Sequence, residues 1–212
     1  MLLLAFDTAS PAITVAVHDG RDTLVGADSV DKMRHGELLA PSIERVLADA
    51  GLDRRDLTDV AVGVGPGPYT GLRVGVVTAR TLAASLGLSL HCVCSLDVIA
   101  AGVPSGAPFV VATDARRREV YWARYDSAGT RVTGPEVALP GELAKSIDVP
   151  AYGRGAQLYA DQLPYVDGPV DPDARVLAAA VAHGNIVEID PEPMYLRRPD
   201  VTPPGERKRA TG

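Results

Sequence analysis

The sequence predicts an α/β protein made of two related halves. Short apolar runs of the buried-strand type alternate with amphipathic helical segments, which is typical of this fold class. An apolar run that ends in an aspartate and is followed by an alternating strand occurs twice, at Asp7 and at Asp114. The chain of 212 residues, 46% of them hydrophobic, is long enough for one large domain or two small ones. We therefore expect a mixed sheet with flanking helices in each half.

The first half begins with a predicted three-stranded meander. LLLAFDTAS is an apolar strand that ends at Asp7, AITVAVHDG is a β-branched strand that ends in an Asp-Gly turn, and TLVGADS supplies the third strand. Apolar residues then recur at helical spacing from Gly36 to Ala50, and Gly51 stands where a left-handed cap is needed. This segment predicts an amphipathic helix.

A glycine-rich turn comes next in the first half. DVAVGVG predicts a strand, a helix is expected from Leu72 to Leu86, and LHCVCS predicts the following strand, so the two strands should pair in parallel. The turn is not a P-loop, because no Lys-Ser or Lys-Thr pair follows its glycines, and Thr70 stands where the dinucleotide fingerprint needs glycine. We expect a structural turn with a helix cap at Thr70. Its residues are Gly65, Pro66, Gly67, Thr70 and Gly71.

The same pattern begins again at Phe109. FVVATDARRREVYWARYD predicts a strand that ends at Asp114, a polar turn and an alternating strand. GELAKSI and DARVLAAAVAHGN predict helices, and PAYGRGAQLY predicts a strand, a turn and a helix. We divide the chain into an N-terminal subdomain, a C-terminal subdomain and a disordered tail, at residues 1–103, 104–200 and 201–212.

Two half-molecules that each begin with an aspartate-ended hairpin are the layout of the actin-like ATPase (ASKHA) superfamily. In that superfamily the two turns face each other and bind nucleotide phosphates, with glycines that let backbone amides approach the anion. The glycines are missing here, which predicts degenerate phosphate turns and no bound cofactor. Simple turn capping is an equally good interpretation of the aspartates. The residues of these turns are Asp7, Thr8, Asp114 and Arg116.

Composition narrows the class of protein further. The net charge of −6 and the pI near 5.2 argue against a chain that binds nucleic acid by itself. Cys92 and Cys94 alternate along a predicted strand, which places them on one face as reduced core thiols. The opening MLLLAF has no basic region and is too short for a signal peptide or a membrane span. We expect a cytoplasmic protein with no membrane partner.

Several motifs in one order resemble the TsaB family, also called YeaZ. They are LLLAFDTAS, RHGELLAPSIERVL, GPGPYTGLRVG, DARRREVYWARY and PMYLRRPDV, and the resemblance covers Leu2 to about Arg198. It implies an actin-like fold and a role in modifying the adenosine next to the anticodon of certain tRNAs. It also implies that TsaD, which transfers the threonylcarbamoyl group, forms a heterodimer with this chain, that the ATPase TsaE joins them, and that tRNA is reached only through the complex.

The residues themselves favour a subunit that is not catalytic. Relatives of TsaD hold a metal with two histidines one helical turn apart, whereas His35 is followed four positions later by Leu39. No serine or cysteine has a nucleophile context either. We therefore predict no catalytic, metal or cofactor residue. The alternative is a stand-alone ATP-dependent transferase or metallopeptidase of the same superfamily, which ATP turnover or metal retention by the isolated chain would favour.

The two predicted helices of the first half have more apolar and small positions than one sheet-facing stripe requires. Gly75, Ala79 and Ala83 recur every four residues, which permits close approach of another helix. One interpretation is packing against the chain's own sheet, under which Ala79→Arg would unfold the protein. The other is a surface for TsaD, or for a second copy in a homodimer. Its residues are Leu38, Leu39, Leu72, Gly75, Val76, Ala79, Leu82 and Ala83.

Overall fold

The computed structural model describes residues 1–30, 35–104 and 106–197. Within these residues the chain forms nine strands and six helices. In chain order they are β1 (Leu3–Asp7), β2 (Ala12–His18), β3 (Thr23–Val30), α1 (His35–Asp49), β4 (Asp59–Gly63), α2 (Tyr69–Leu86), β5 (Ser89–Val93), α3 (Ser95–Ala101), β6 (Phe109–Asp114), β7 (Val120–Tyr125), β8 (Arg131–Ala138), α4 (Pro140–Ser146), β9 (Ala151–Tyr152), α5 (Arg154–Leu158) and α6 (Ala174–Ala182). The predicted tail at 201–212 lies outside the described residues.

Two mixed sheets share one strand order. The first sheet runs β3-β2-β1-β4-β5, with an antiparallel meander from β1 to β3 and with β4 and β5 parallel to β1. The second runs β8-β7-β6-β9, again with an antiparallel meander and a parallel fourth strand. The second sheet therefore repeats the first four strands of the first sheet. This confirms the predicted α/β fold with a mixed sheet and flanking helices in each half.

Local sequence explains most of the element boundaries. The Asp19 carboxylate accepts hydrogen bonds from the amides of Arg21 and Asp22 at 2.8 Å, and this turn connects β2 to β3. Gly51 has φ +69 just after α1, as the predicted left-handed cap requires. The sequence predicts that α2 starts at Leu72, whereas the helix starts at Tyr69. The extended residue before the helix is Pro68, and no side chain caps this end. The predicted cap at Thr70 is wrong, since this residue lies inside the first helical turn.

The first sheet is covered on both faces. Helices α1 and α2 pack on one face against alternate residues of β1 and β4, such as Phe6 and Val62. Helix α6 packs on the other face, where alanines of the three central strands allow it to lie close to the sheet. The Thr14 hydroxyl accepts a hydrogen bond from the Ala174 amide at 3.1 Å and donates one to Pro172 at 2.9 Å. A helix near the end of the described chain thus completes the first half.

Helix α3 joins the two halves. Its apolar residues pack with β6 and β7, where Phe109 stacks on Tyr125 at 5.2 Å between ring centroids. The Tyr125 hydroxyl donates to Asp97 of α3 at 2.8 Å, and the Arg131 guanidinium lies 3.0 Å from the same carboxylate. The interface between the halves is therefore an apolar layer with one buried polar cluster at its edge.

The two cysteines are free and buried. Burial raises the pKa of the Cys92 thiol to about 11 and that of Cys94 to about 12, so both are protonated thiols. Cys92 packs with α1 and α2, whereas Cys94 packs with α3 and β6. The expectation that they share one face is wrong, because β5 ends at Val93 and the strand alternation stops there.

A segment at residues 186–197, which we name the C-terminal strap, runs along β5 and α2. The Ile189 amide donates a hydrogen bond to the Cys92 carbonyl group, and the Met194 amide donates one to the Val64 carbonyl group, each at 2.8 Å. The contacts of the strap with α2 include a stack of the Tyr69 and Tyr195 rings at 4.7 Å and an ion pair of Arg80 with Glu192 at 3.1 Å. The strap therefore ties the last described residues to the glycine-rich turn.

Candidate functional site

The first predicted phosphate turn starts at Asp7, the last residue of β1. Its buried carboxyl group accepts hydrogen bonds from the Ser95 hydroxyl at 2.6 Å and from the Ala9 amide at 2.7 Å. Burial raises the pKa of Asp7 to about 6, although these hydrogen bonds act in the opposite direction. Ser95 was missed from the sequence because it lies 88 positions away, and no local pattern signals the pairing.

The glycine-rich turn packs directly on this first aspartate turn. A Cβ atom would lie 1.6 Å from Asp7 Oδ2 if added at Gly63, 2.2 Å from the Ala9 carbonyl oxygen at Gly67, and 2.4 Å from Thr8 Oγ1 at Gly75. Contacts this short exclude any side chain at these three positions. These glycines therefore allow the chain to pack against itself, on the side chains of Asp7 and Thr8 and on the Ala9 carbonyl group.

The second predicted phosphate turn starts at Asp114, which is partly exposed. Its carboxylate accepts a hydrogen bond from the Arg116 amide at 2.8 Å, which is ordinary turn capping. The two aspartate turns do face each other, across a crevice of about 10 Å³. That volume is about the size of one water molecule. The crevice is lined by Ala9, Ser10, Pro11, Pro68, Thr113, Asp114, Arg116 and Arg154.

The predicted partner surface divides into buried and accessible residues. Five of its eight members belong to the core of this chain, namely Leu39, Leu72, Gly75, Val76 and Ala79. Their assignment to a surface is corrected, because α1 and α2 use these positions to pack on the first sheet. The remaining three are half-buried, namely Leu38, Leu82 and Ala83.

The outward side of α2 carries an apolar residue that is not among the eight assigned to the partner surface. Val77 is 60% exposed, one position after the buried Val76. Helical periodicity identifies both as apolar, but only the tertiary structure distinguishes the side that covers the sheet from the side that faces outward. The described part of α1 lies beside α2 on the same face of the sheet.

His18 and His183 contact each other edge to face, with ring centroids 5.9 Å apart, whereas His91 has acidic neighbours. The His91 ring lies 3.0 Å from Asp59 and 2.9 Å from Glu188 of the strap, and its pKa is raised because these hydrogen bonds outweigh the effect of burial. His18 Nδ1 accepts from the Gly20 amide at 2.9 Å. The His35 side chain lies outside the described part. Over residues 1–30, 35–104 and 106–197, no three His, Cys, Asp or Glu side chains are grouped to hold a metal ion.

None of the helices in the described ranges has the length and apolar character needed to cross a membrane.

Comparison with known proteins adds three findings. A family model described as TsaD, tRNA N6-adenosine threonylcarbamoyltransferase, matches residues 29–169. The tRNA threonylcarbamoyladenosine biosynthesis protein TsaB of Escherichia coli is 32% identical over 222 residues, which cover 93% of this chain and 95% of that protein. The crystal structure of YeaZ from Pseudomonas aeruginosa matches with a TM-score of 0.74 and 28% identity, over 92% of this chain and 99% of that one.

Mycobacterial relatives are more similar in sequence. An uncharacterized protein of Mycobacterium leprae is 42% identical over 206 residues, and this chain spans only 56% of its length. A second uncharacterized protein, from Mycobacterium tuberculosis, is also 42% identical, over 205 residues and 94% of its length.

The repeated strand order and the two facing aspartate turns define an α/β protein of the actin-like ATPase class. Within that class, the similarity to TsaB and YeaZ extends over nearly the whole chain. The chain belongs to the TsaB (YeaZ) family, and residues 29–169 also match the TsaD model.

Proposed function

We propose that this chain is a non-catalytic subunit in the biosynthesis of threonylcarbamoyladenosine in tRNA. The pathway is taken from the TsaB relatives, whose names state it. The crevice of about 10 Å³ between the aspartate turns carries the non-catalytic assignment. A phosphate group does not fit in this space, and the contacts at Gly63, Gly67 and Gly75 oppose any widening on the side of the first turn.

We further propose that the partner is TsaD and that the outward side of α1 and α2, centred on Val77, forms the heterodimer surface. The support for this position is that Val77 is an exposed apolar side chain on a helix that packs beside α1. Burying such a side chain at the centre of an interface contributes to the free energy of binding. In isolation a second copy of the chain would cover the same surface as a homodimer. TsaE would join the pair, and tRNA would be bound only by the assembled complex.

The proposed organisation assigns the partner helices to the N-terminal subdomain, residues 1–103, and the second sheet to residues 104–200. A cytoplasmic location is part of the proposal. The free, buried thiols of Cys92 and Cys94 support it, because such thiols are typical of a reducing compartment.

Binding to the cognate TsaD tests the surface. We expect Val77→Arg to keep its melting temperature and to weaken TsaD binding about 100-fold, because a charge at an interface centre typically removes 2–4 kcal/mol. Val132→Arg is the matched control, since Val132 is 53% exposed on β8 in the other sheet, and it should bind normally. Ala79→Arg should unfold, because Ala79 is fully buried in the core.

Three results would contradict the proposal. If a folded Val77→Arg chain bound TsaD with unchanged affinity, the proposed surface would be wrong. If the unmodified chain did not bind TsaD, the proposed partnership would be wrong. A saturable ATPase rate of the isolated chain that Asp7→Ala abolishes would instead support the alternative of a stand-alone ATP-dependent enzyme. Calorimetry of the chain with TsaD and a coupled ATPase assay provide these measurements.

A further inference from the structure

His91 of β5 lies between two carboxylates that come from distant parts of the chain. One ring nitrogen lies 3.0 Å from Asp59 Oδ1 at the start of β4, and the other lies 2.9 Å from Glu188 Oε1 of the C-terminal strap. An ionised carboxylate only accepts hydrogen bonds, and a neutral imidazole has a single N–H group. Both contacts are therefore hydrogen bonds at the same time only when the His91 ring is protonated and donates from both nitrogens.

The strap covers the free edge of β5 close to this histidine. β5 is the last strand of the first sheet, and its partner within the sheet is β4. Glu188 forms an antiparallel bridge with Val93, and the Ile189 amide donates to the Cys92 carbonyl at 2.8 Å. An edge strand without such cover presents open backbone groups to other chains. Glu188 thus contacts β5 through its backbone and His91 through its side chain.

Further along, the strap holds two exposed arginines of α2. The Arg80 guanidinium pairs with Glu192 at 3.1 Å, and Arg73 Nε donates to the Tyr195 hydroxyl at 2.8 Å. These arginines lie three and four positions from the exposed Val77, on the same outward side of the helix. The position of the strap therefore determines what surrounds Val77.

Two carboxylates dominate the electrostatic surroundings of His91. Burial alone lowers the pKa of His91, but the hydrogen bonds to Asp59 and Glu188 outweigh burial and raise this pKa above 6.5. The other charged or titratable side chains of the elements around β5 are Arg73 and Arg80 of α2, Arg175 and His183 at the ends of α6, Cys92 of β5, and Asp190, Glu192, Tyr195 and Arg197 of the strap. Cys92 is a neutral thiol, and Arg80 is already paired with Glu192.

We propose that His91 is a pH-dependent latch for the C-terminal strap. The protonated ring binds Asp59 and Glu188 together and so holds the strap on the edge of the first sheet. A neutral ring donates to one carboxylate, and Glu188 is the partner that water replaces, because its side chain is 51% exposed against 12% for Asp59. The latch is independent of the function proposed above, since it needs no partner protein.

The direction of the pH effect follows from the raised pKa of His91. The ring contributes fully to holding the strap below pH 6.5, the ordinary pKa of histidine, and this contribution is lost as pH rises through the raised value. The strap should therefore loosen on the alkaline side of the His91 titration.

NMR spectroscopy of the isolated chain between pH 5 and pH 9 tests the latch. The ring signals of His91 give the pH at which the ring loses its proton, and we expect this midpoint to lie above pH 6.5. Glu188→Gln should lower the midpoint by about half a pH unit, which is the size typical of a partly exposed ion pair.

Hydrogen exchange of the Ile189 amide measures the strap itself. Half a pH unit corresponds to about a threefold change in an equilibrium constant. The protection factor of Ile189, which corrects for the intrinsic effect of pH on exchange, should therefore fall about threefold as His91 loses its proton. In the Glu188→Gln chain this pH dependence should disappear.

Glu192→Gln is the matched control. It removes one exposed carboxylate from the same strap, but this carboxylate pairs with Arg80 and not with His91. The midpoint of the His91 titration should be the same as in wild type. The His18 ring, which accepts a hydrogen bond from the Gly20 amide, reports on the fold, and its signals should be the same in all three chains.

Four results would overturn the latch. They are a His91 midpoint at or below pH 6.5, an unchanged midpoint in a folded Glu188→Gln chain, constant Ile189 protection across the His91 titration, and an equal shift of the midpoint in Glu192→Gln. The last result would show that the net charge of the strap, and not the contact with Glu188, sets the titration of His91. None of these measurements involves TsaD, so their failure would leave the proposed function unchanged.

Discussion

Protonation of the Asp7 carboxyl group makes the free energy of unfolding of the chain depend on pH. Its folded pKa is about 6, against 3.8 for the free side chain, because burial disfavours the charged form. As pH falls, Asp7 therefore binds its proton at a higher pH in the folded chain than in the unfolded chain. The contribution of Asp7 to stability is complete below pH 3.8 and is lost as pH rises through 6, a change of about 3 kcal/mol in the free energy of unfolding.

Asp7→Asn should remove this pH dependence. An asparagine keeps an oxygen that accepts the Ala9 amide and an amide group that can donate to the Ser95 hydroxyl oxygen, so the fold should survive. Urea unfolding of both chains between pH 4 and pH 7 measures the effect. We expect the variant to gain stability relative to wild type as pH rises. Parallel profiles would contradict the buried position of the carboxyl group, since all other titrating groups are common to the two chains.

The sequence located Asp7 at a strand end but did not reveal its environment. Apolar residues before it predicted β1, whereas its burial depends on Ser95 and Gly63, which reach it through tertiary folding. The same limit applies to the turn between β6 and β7. The letters RRR predicted a polar turn between two strands, but they did not indicate that Arg116, Arg117 and Arg118 all have a positive φ.

Contact between α2 and the aspartate turn provides a test at the level of secondary-structure elements. Gly75→Ala would normally stabilise a helix by about 1 kcal/mol. Here the new Cβ would lie 2.4 Å from Thr8 Oγ1, so we expect a loss of about 2–3 kcal/mol in the free energy of unfolding. A second substitution, which removes the Thr8 hydroxyl, distinguishes the effect of this contact from the effect of helix propensity.

Thr8→Ala provides that second substitution. It removes the hydroxyl, which donates to the Gly71 carbonyl at 2.8 Å, and leaves the Cβ atom 3.6 Å from the added methyl group. In the Thr8→Ala background Gly75→Ala should be neutral or stabilising, which gives a large coupling in a double-mutant cycle. Additive effects in denaturant unfolding would show that the glycine serves another purpose.

Periodicity predicted which elements form better than it predicted what they contact. The amphipathic patterns of α1 and α2 were confirmed nearly to their ends, because 3.6-residue spacing is a local property. The same pattern does not tell whether an apolar residue meets the chain's own sheet or another protein. Ala79 was assigned to a partner surface for this reason, although β4 and the rest of the first sheet cover it.

At the scale of the whole molecule, the two halves are not separate in the way that the division at residue 103 suggests. The covering helix α6 comes from the second half and packs on the back of the first sheet, where Leu3, Ala5 and Ala61 meet Leu177 and Ala178. A fragment of residues 1–103 would expose that apolar face to water.

We therefore expect the 1–103 fragment to lack a cooperative thermal transition and to aggregate. Mixing it with a 104–212 fragment during refolding should restore the transition, because α6 is then supplied. Circular dichroism on heating and light scattering measure the two effects. Cooperative unfolding of the 1–103 fragment alone would show that α1 and α2 stabilise the sheet without α6.

The position of α6 has a consequence for how the protein is made. Ribosomes add roughly 5–20 residues per second, so on the order of ten seconds separate the synthesis of β5 from that of α6. During this interval one face of the first sheet has no cover from its own chain. A nascent chain of this kind offers a hydrophobic surface to chaperones at the ribosome exit, until the last helix emerges and displaces them.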